Sequence, residues 1–199
     1  IVDKNLLSVG KRLYNTVALI HNGEIIFKQN KSLLPNYDVF DERRYFEPSK
    51  CVHTVNFKGV CFGLTVCEDL WVYNPSLSQS YNYDPNKTLK EMGAEIIINI
   101  SASPFSYEKP TARIETIRYA AIKNRVGLVY VNQVGGNDEL VFDGKSLVVN
   151  NKGEIKALAN NFDEDLIFYD YSQDVGDMHA PAENNLECIY RAIALGIRD

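Results

Sequence analysis

Apolar and polar positions divide the chain into short runs of different period. Residues 17–20 and 24–28 are strand-like, and Asn22-Gly23 between them supplies the positive φ values of a tight hairpin turn. A second hairpin is expected from 51–57 and 60–67, joined at Lys58-Gly59. Residues 60–67 are almost wholly apolar or small, the pattern of a strand buried on both faces. Between the hairpins, residues 32–50 have the Pro, Asn and Asp content of a long ordered loop, a type that is usually functional. The Tyr/Asn/Ser/Pro-rich stretch 72–86 reads as an irregular surface loop.

The pattern then predicts a helix over 87–92, a strand over 94–100, a small-residue loop to 110, a helix over 111–125 and a strand over 127–132. Antiparallel strands are expected at 140–150, 154–159 and 165–171, the first two joined by a turn at Asn151-Lys152-Gly153. Residues 172–184 read as an exit linker. Beyond it Leu186, Ile189, Tyr190, Ile193, Ala194 and Ile197 make an apolar stripe of helical period with no stop signal after it. Strand-helix-strand units mixed with hairpins predict an α/β domain with a mixed sheet. The chain opens at Ile1 without a leader and closes inside a patterned helix, so it is expected to be a piece cut from a longer polypeptide at both ends.

Composition narrows the classes. At 199 residues and 45% hydrophobic, the chain is long enough for one sizeable core. Its formal charge of −5, without a lysine cluster, argues against a nucleic-acid or anionic-membrane surface. Apolar runs fall far short of the ~20 residues that span a bilayer. Cysteines at 51, 61, 67 and 188 have neither metal-ligand spacing nor a disulfide framework, which predicts a reduced, cytoplasmic protein. His21, His53 and His179 are isolated, so no metal site is expected.

One stretch resists an ordinary reading. In "GVCFGLTVCEDLW", residues 59–71, a thiol ends the buried strand with Glu68 and Asp69 directly behind it. Two adjacent anions favour the neutral thiol and make it a poorer nucleophile. A reactive Cys67 therefore needs a cation from elsewhere; an inert one is a small buried hydrophobe. Lys31, at the boundary between the first hairpin and the long loop, is placed to be held in a pocket.

In their frames, "KSLLPNYDVFDERRYF" and "GLTVCEDLW", these two residues resemble the glutamine-hydrolysing domain of glutamine-dependent NAD synthetases, within the nitrilase or carbon–nitrogen hydrolase superfamily. "LYNTVALIHNGEI", "INISASPF", "NQVGGNDELVFDGKS" and "IYRAIALGIRD" extend the resemblance along essentially the whole chain. It implies a nitrilase-like α-β-β-α sandwich lacking its first strand and helix region, with the glutaminase domain over residues 1–175. Residues 176–199 would be the linker and the start of a helix towards an absent synthetase domain. It implies that Cys67 is the nucleophile on the glutamine side-chain amide. Lys31 and the backbone N–H of Glu68 would hold the oxyanion, and Glu42 would be a supporting carboxylate near the lysine. Glu42 is equally open to a salt bridge with the neighbouring arginines. Tyr37 would line the glutamine pocket. Ser103 and Lys109 would recognise its α-amino and α-carboxylate groups, although lysine lacks the bidentate fork of the arginine common there. Asp69 and Trp71 have turn-holding and packing roles as their ordinary reading.

The resemblance also implies what lies outside this chain. The general-base glutamate belongs upstream of the first hairpin, and Glu24, inside a hairpin strand, does not replace it. The whole enzyme would join ammonia to deamido-NAD with ATP and magnesium bound by the synthetase domain, leaving no cofactor in this chain. Family members assemble through the nitrilase domains, so a homo-oligomer is expected. Residues 1–199 alone are expected to have little glutaminase activity and to fold poorly, since missing strands expose apolar edges. The alternatives are a nitrilase-superfamily amidase or carbamoylase acting on another small amide, and a non-enzymatic nitrilase-like module.

Overall fold

The computed structural model describes residues 13–74, 81–107, 109–181 and 184–199, with the side chains of residues 109 and 110 outside that description. Two compact units divide the chain, Ile1–Ile97 and Ile98–Asp199.

The first unit opens with β1 (Thr16–His21) and β2 (Glu24–Asn30), an antiparallel hairpin turned by Asn22 and Gly23, both at positive φ. The long loop follows, containing one short helix, α1 (Glu42–Tyr45). The buried Gln29 side chain anchors the loop: its amide donates to the carbonyls of Asn30 and Cys51, and its oxygen accepts from the His53 N–H. β3 (Thr54–Phe57) and β4 (Val60–Val66) form the second hairpin about Lys58 and Gly59. β4 becomes more buried towards its C-terminus, as its apolar run requires.

The strand stops one residue before the thiol. Cys67 has φ +41°, a left-handed conformation that is strained for any residue with a Cβ, and it begins a 3-10 helix, Cys67–Tyr73. α2 (Pro85–Glu91) starts earlier than the apolar pattern predicts. Asp84 caps it by accepting from the Lys87 N–H, and Pro85 supplies a pre-set φ at the first helical position. Both residues count as loop formers until that pairing is recognised. The Tyr73 hydroxyl, bonded to the same Asp84 carboxylate at 2.7 Å, ties the 3-10 helix to this cap.

β5 (Ile96–Ser101) runs across the division. In the second unit α3 (Lys109–Asn124) ends where Arg125 turns to positive φ, and β6 (Gly127–Asn132) follows. The predicted strand over 140–150 is two strands. β7 (Val134–Asn137) and β8 (Leu140–Asp143) form a hairpin, and Gly144 and Lys145, both at positive φ, redirect the chain into β9 (Leu147–Val149). β9 pairs antiparallel with both β6 and β10 (Ile155–Leu158).

The strand expected at 165–171 shrinks to β11 (Tyr169–Asp170), paired with β12 (Val175–Gly176) from the stretch expected to be a linker. That stretch is also bound to β10, through the Leu158 N–H to Asp177 and the His179 N–H to Leu158. α4 (Asn185–Arg198) is capped by the Asn184 side chain. It buries Cys188, Ala192 and Leu195 against Phe105, Val134, Val141 and Phe162. The apolar stripe that the periodicity picks out faces the other way, with Leu186 78% and Ile197 81% exposed. Among the described residues no helix is long and apolar enough to cross a membrane.

Candidate active site

Five of the seven predicted site residues lie in the first unit, and a single carboxylate organises them. Asp69, one turn into the 3-10 helix, is fully buried. Its Oδ1 accepts from the N–H groups of Ser32 at 2.9 Å and Leu33 at 2.8 Å, and its Oδ2 from the Val66 N–H at 3.0 Å. The residues that follow Lys31 and the residue that precedes Cys67 are thus tied to one side chain. The Asn86 amide donates to the Asp69 carbonyl and fixes the turn from α2. Burial pushes the Asp69 carboxyl up to about 6, against the downward pull of the three N–H donors and of Lys31. The turn-holding reading of Asp69 is the geometric one.

Lys31 is 1% exposed, and its Nζ donates to Glu42 Oε1 at 2.7 Å. A lysine buried this deeply is ordinarily paired, and Glu42, presented by the first turn of α1, is its partner. Arg44 pairs with Asp41 and the Arg43 side chain donates to the Leu34 carbonyl, so the arginine alternative for Glu42 gives way to the lysine. Glu42 Oε2 is buried with no hydrogen-bond partner among the described residues.

The Glu68 side chain, from which only a backbone role was expected, is buried and doubly engaged. The Tyr37 hydroxyl donates to its two oxygens at 2.9 and 3.0 Å, and the Tyr81 hydroxyl makes a short bond to Oε1. Burial raises the Glu68 carboxyl, the two phenols and Lys31 pull it down, and Glu42 adds to the rise. Burial and the Glu68 carboxylate raise both phenols, so they remain protonated donors, and Cys67 contributes in the same direction to each. The carboxylate behind the thiol is therefore occupied by two O–H donors. Tyr81 falls in the stretch read as an irregular loop, and no local signal separates it from the other tyrosines there.

Ser103 belongs to the second unit, buried, with its N–H donating to Asn132 Oδ1 at 2.9 Å. Lys109 is the first residue of α3; its side chain lies outside the described residues. A pairing that the sequence does not announce occupies the same unit: Arg113 donates to both oxygens of Asp143, at 3.1 and 2.9 Å, with both residues fully buried.

Together these residues provide a thiol on a strained turn, a buried ammonium held by a carboxylate, and backbone N–H groups at the start of a helix, which have no intrahelical acceptor. Such a set fits nucleophilic attack on a carbonyl-type carbon with stabilisation of the resulting oxyanion.

Residues 2–180 match the carbon-nitrogen hydrolase family model. A glutamine-dependent NAD(+) synthetase from Synechocystis is 39% identical over 195 residues, covering 95% of this chain and 35% of its own length. The corresponding enzyme from Acinetobacter baylyi is 34% identical, with 94% and 33% covered. The glutamine-dependent NAD+ synthetase of Acinetobacter baumannii, solved with ADP, superposes with a TM-score of 0.81 at 35% identity, over 96% of this chain and 35% of that one. A carbon-nitrogen hydrolase from Helicobacter pylori G27 superposes at 0.61 with 28% identity, over 73% and 52%. An amidase of the nitrilase superfamily from Nesterenkonia, at 22% identity and a TM-score of 0.60, shares the fold. The chain spans about a third of the length of the curated relatives it matches. On the match over residues 2–180 and an α/β, nitrilase-like fold, the chain belongs to the carbon-nitrogen hydrolase family.

Proposed function

We propose that this chain carries the nucleophile and oxyanion site with which the full-length protein hydrolyses the side-chain amide of glutamine, supplying the ammonia to an ATP-dependent synthetase that amidates deamido-NAD. One arrangement carries the reading: Lys31, buried and held by Glu42, is joined through the hydrogen bonds of Asp69 to the strained turn that presents Cys67. The Cys67 thiol passes its proton to the general-base glutamate expected upstream of the first hairpin and its sulfur attacks the amide carbon; the Lys31 ammonium and the Glu68 N–H receive the oxyanion, and the glutamate returns the proton to the departing nitrogen. The carbon–nitrogen bond breaks and ammonia leaves, and water then cleaves the glutamyl thioester to glutamate. Glu42 fixes the ammonium, and Tyr37 and Tyr81 fix Glu68 beside the thiol. Ser103 and Lys109 are the proposed contacts for the α-substituents of glutamine. ATP and magnesium would act in the synthetase half-reaction, and copies of the protein would assemble through this domain.

The test uses the purified full-length protein and a glutamine-mimicking electrophile. A single mass adduct is expected, absent in Cys67→Ala, and Lys31→Met is expected to lower glutamine turnover at least about 100-fold, the usual cost of an oxyanion-hole donor. An adduct that survives Cys67→Ala, or faster release of ammonia from a simple aliphatic amide than from glutamine, would overturn the assignment.

A further inference from the structure

The second unit contains a cavity of about 380 Å³ that the proposed glutaminase chemistry does not use. Phe105, Ile114, Asp143, Lys145, Asn161 and Cys188 are among the residues lining it. Lys145 is decisive. The Gly144-Lys145 turn, with both residues at positive φ, carries its side chain to the cavity wall, and the residue is only 9% exposed. Buried charges in proteins are ordinarily paired or hydrogen-bonded. Among the described residues, the Lys145 amine has no side-chain hydrogen bond or ion pair.

The acids on the same wall do not satisfy it. Both oxygens of Asp143 are engaged by the Arg113 guanidinium, which makes a neutral pair. Glu115 is exposed and bonded to Arg118 at 3.0 Å. The Cys188 thiol, pushed up by burial, is pulled the other way by the Lys145 charge, which places that charge in its neighbourhood. Among the described residues the cavity thus offers one uncompensated positive group, Lys145, and an apolar wall from Phe105 and Ile114.

We propose that this cavity is a binding site for a small organic monocarboxylate, whose carboxylate is held by Lys145 and whose short apolar body lies against Phe105 and Ile114. A single cation matches a single negative charge. Among the described residues a dianion such as phosphate would meet Lys145 alone, which leaves its second charge without a partner in the cavity. The volume lies within the range of small-ligand sites. The proposal does not depend on the chemistry at Cys67.

The test is a titration of the full-length protein, 13C-labelled at isoleucine methyl groups, with butyrate, n-butylammonium and inorganic phosphate in turn. Butyrate is expected to shift the Ile114 methyl signal saturably in the millimolar range. Lys145→Met is expected to weaken that binding at least tenfold, and Lys31→Met to leave it unchanged. Should Lys145→Met fail to fold, Thr111→Trp, which places an indole in the cavity wall, is expected to abolish the shift. No response to butyrate, a stronger response to phosphate or n-butylammonium, or a butyrate response that survives either cavity substitution would overturn the proposal.

Discussion

The buried pair of Lys31 and Glu42 makes an asymmetric prediction. Lys31 is 1% exposed and Glu42 20%, with Nζ and Oε1 2.7 Å apart. Replacing Glu42 by leucine leaves an ammonium inside the first unit with neither counter-ion nor acceptor, a loss that costs about 3–5 kcal/mol. Lys31→Met removes the more buried charge, fills its volume, and leaves the less deeply buried of the two, a side chain 20% exposed; about 1–2 kcal/mol is expected, roughly the value of one charged hydrogen bond. The double variant removes both charges, and apolar replacement of a buried pair is often neutral, so it should lie within about 1 kcal/mol of the parent. With the double variant taken as neutral, the coupling energy between the two sites is then about 4–7 kcal/mol. Urea unfolding of the four proteins measures these differences. In thermal melts, Glu42→Leu should fall roughly 6–20 °C below the parent, at about 2–4 °C per kcal/mol for a chain of this size. All three variants should be nearly inactive on glutamine, including the stable double variant. A lysine single variant less stable than the glutamate one, or a double variant no more stable than the worse single, would refute the account of the pair.

Three further outcomes follow from neighbouring contacts. Removing the phenols with Tyr37→Phe and Tyr81→Phe withdraws two donors that hold the Glu68 carboxyl down, so its midpoint, followed by carboxyl 13C shifts, should move upward; a downward or absent shift would contradict the assignment. Cys67→Gly relieves a side chain held at φ +41° and should gain about 0.5–1 kcal/mol in chemical unfolding over Cys67→Ala, while both lose the adduct of the glutamine-mimicking electrophile at position 67. Gly63→Ala would place a Cβ 2.8 Å from Leu89 Cδ1 and 3.2 Å from Ile97 Cγ1, so it should cost about 1–3 kcal/mol by the same measurement.

What could be read from the sequence was whatever depends on neighbours along the chain. Asn22-Gly23 and Lys58-Gly59 announce their hairpins because positive φ is a local demand. The thiol at the end of β4 is legible because a buried strand must break where a polar triplet begins. Asp84-Pro85 misleads for the same local reason: its residues suit both a loop and a helix start, and only the bond from Lys87 decides. Apolar content alone does not divide 140–150, because Gly144 and Lys145 turn the chain without interrupting its hydrophobic character. The α4 stripe is real as a pattern, but the helix carries a second apolar face through Cys188, Ala192 and Leu195, and tertiary packing selects that one. Tyr81 with Glu68, and Arg113 with Asp143, pair across intervening chain whose path no local rule supplies.

The acids behind Cys67 are the sharper lesson, because counted as charges they disfavour a reactive thiol. Geometry assigns each to other partners. Asp69 turns its carboxylate onto three backbone N–H groups and so holds the Lys31 segment against the Cys67 turn. Glu68 faces two phenolic donors. Hydrogen bonds of this kind spread a carboxylate's charge over fixed donors, so its field at a neighbouring sulfur is weaker than the formal charge implies. The acids thereby become the supports of the turn, and Lys31, with Glu42 as its only ion-pair partner among the described residues, is the cation proposed to serve the thiol.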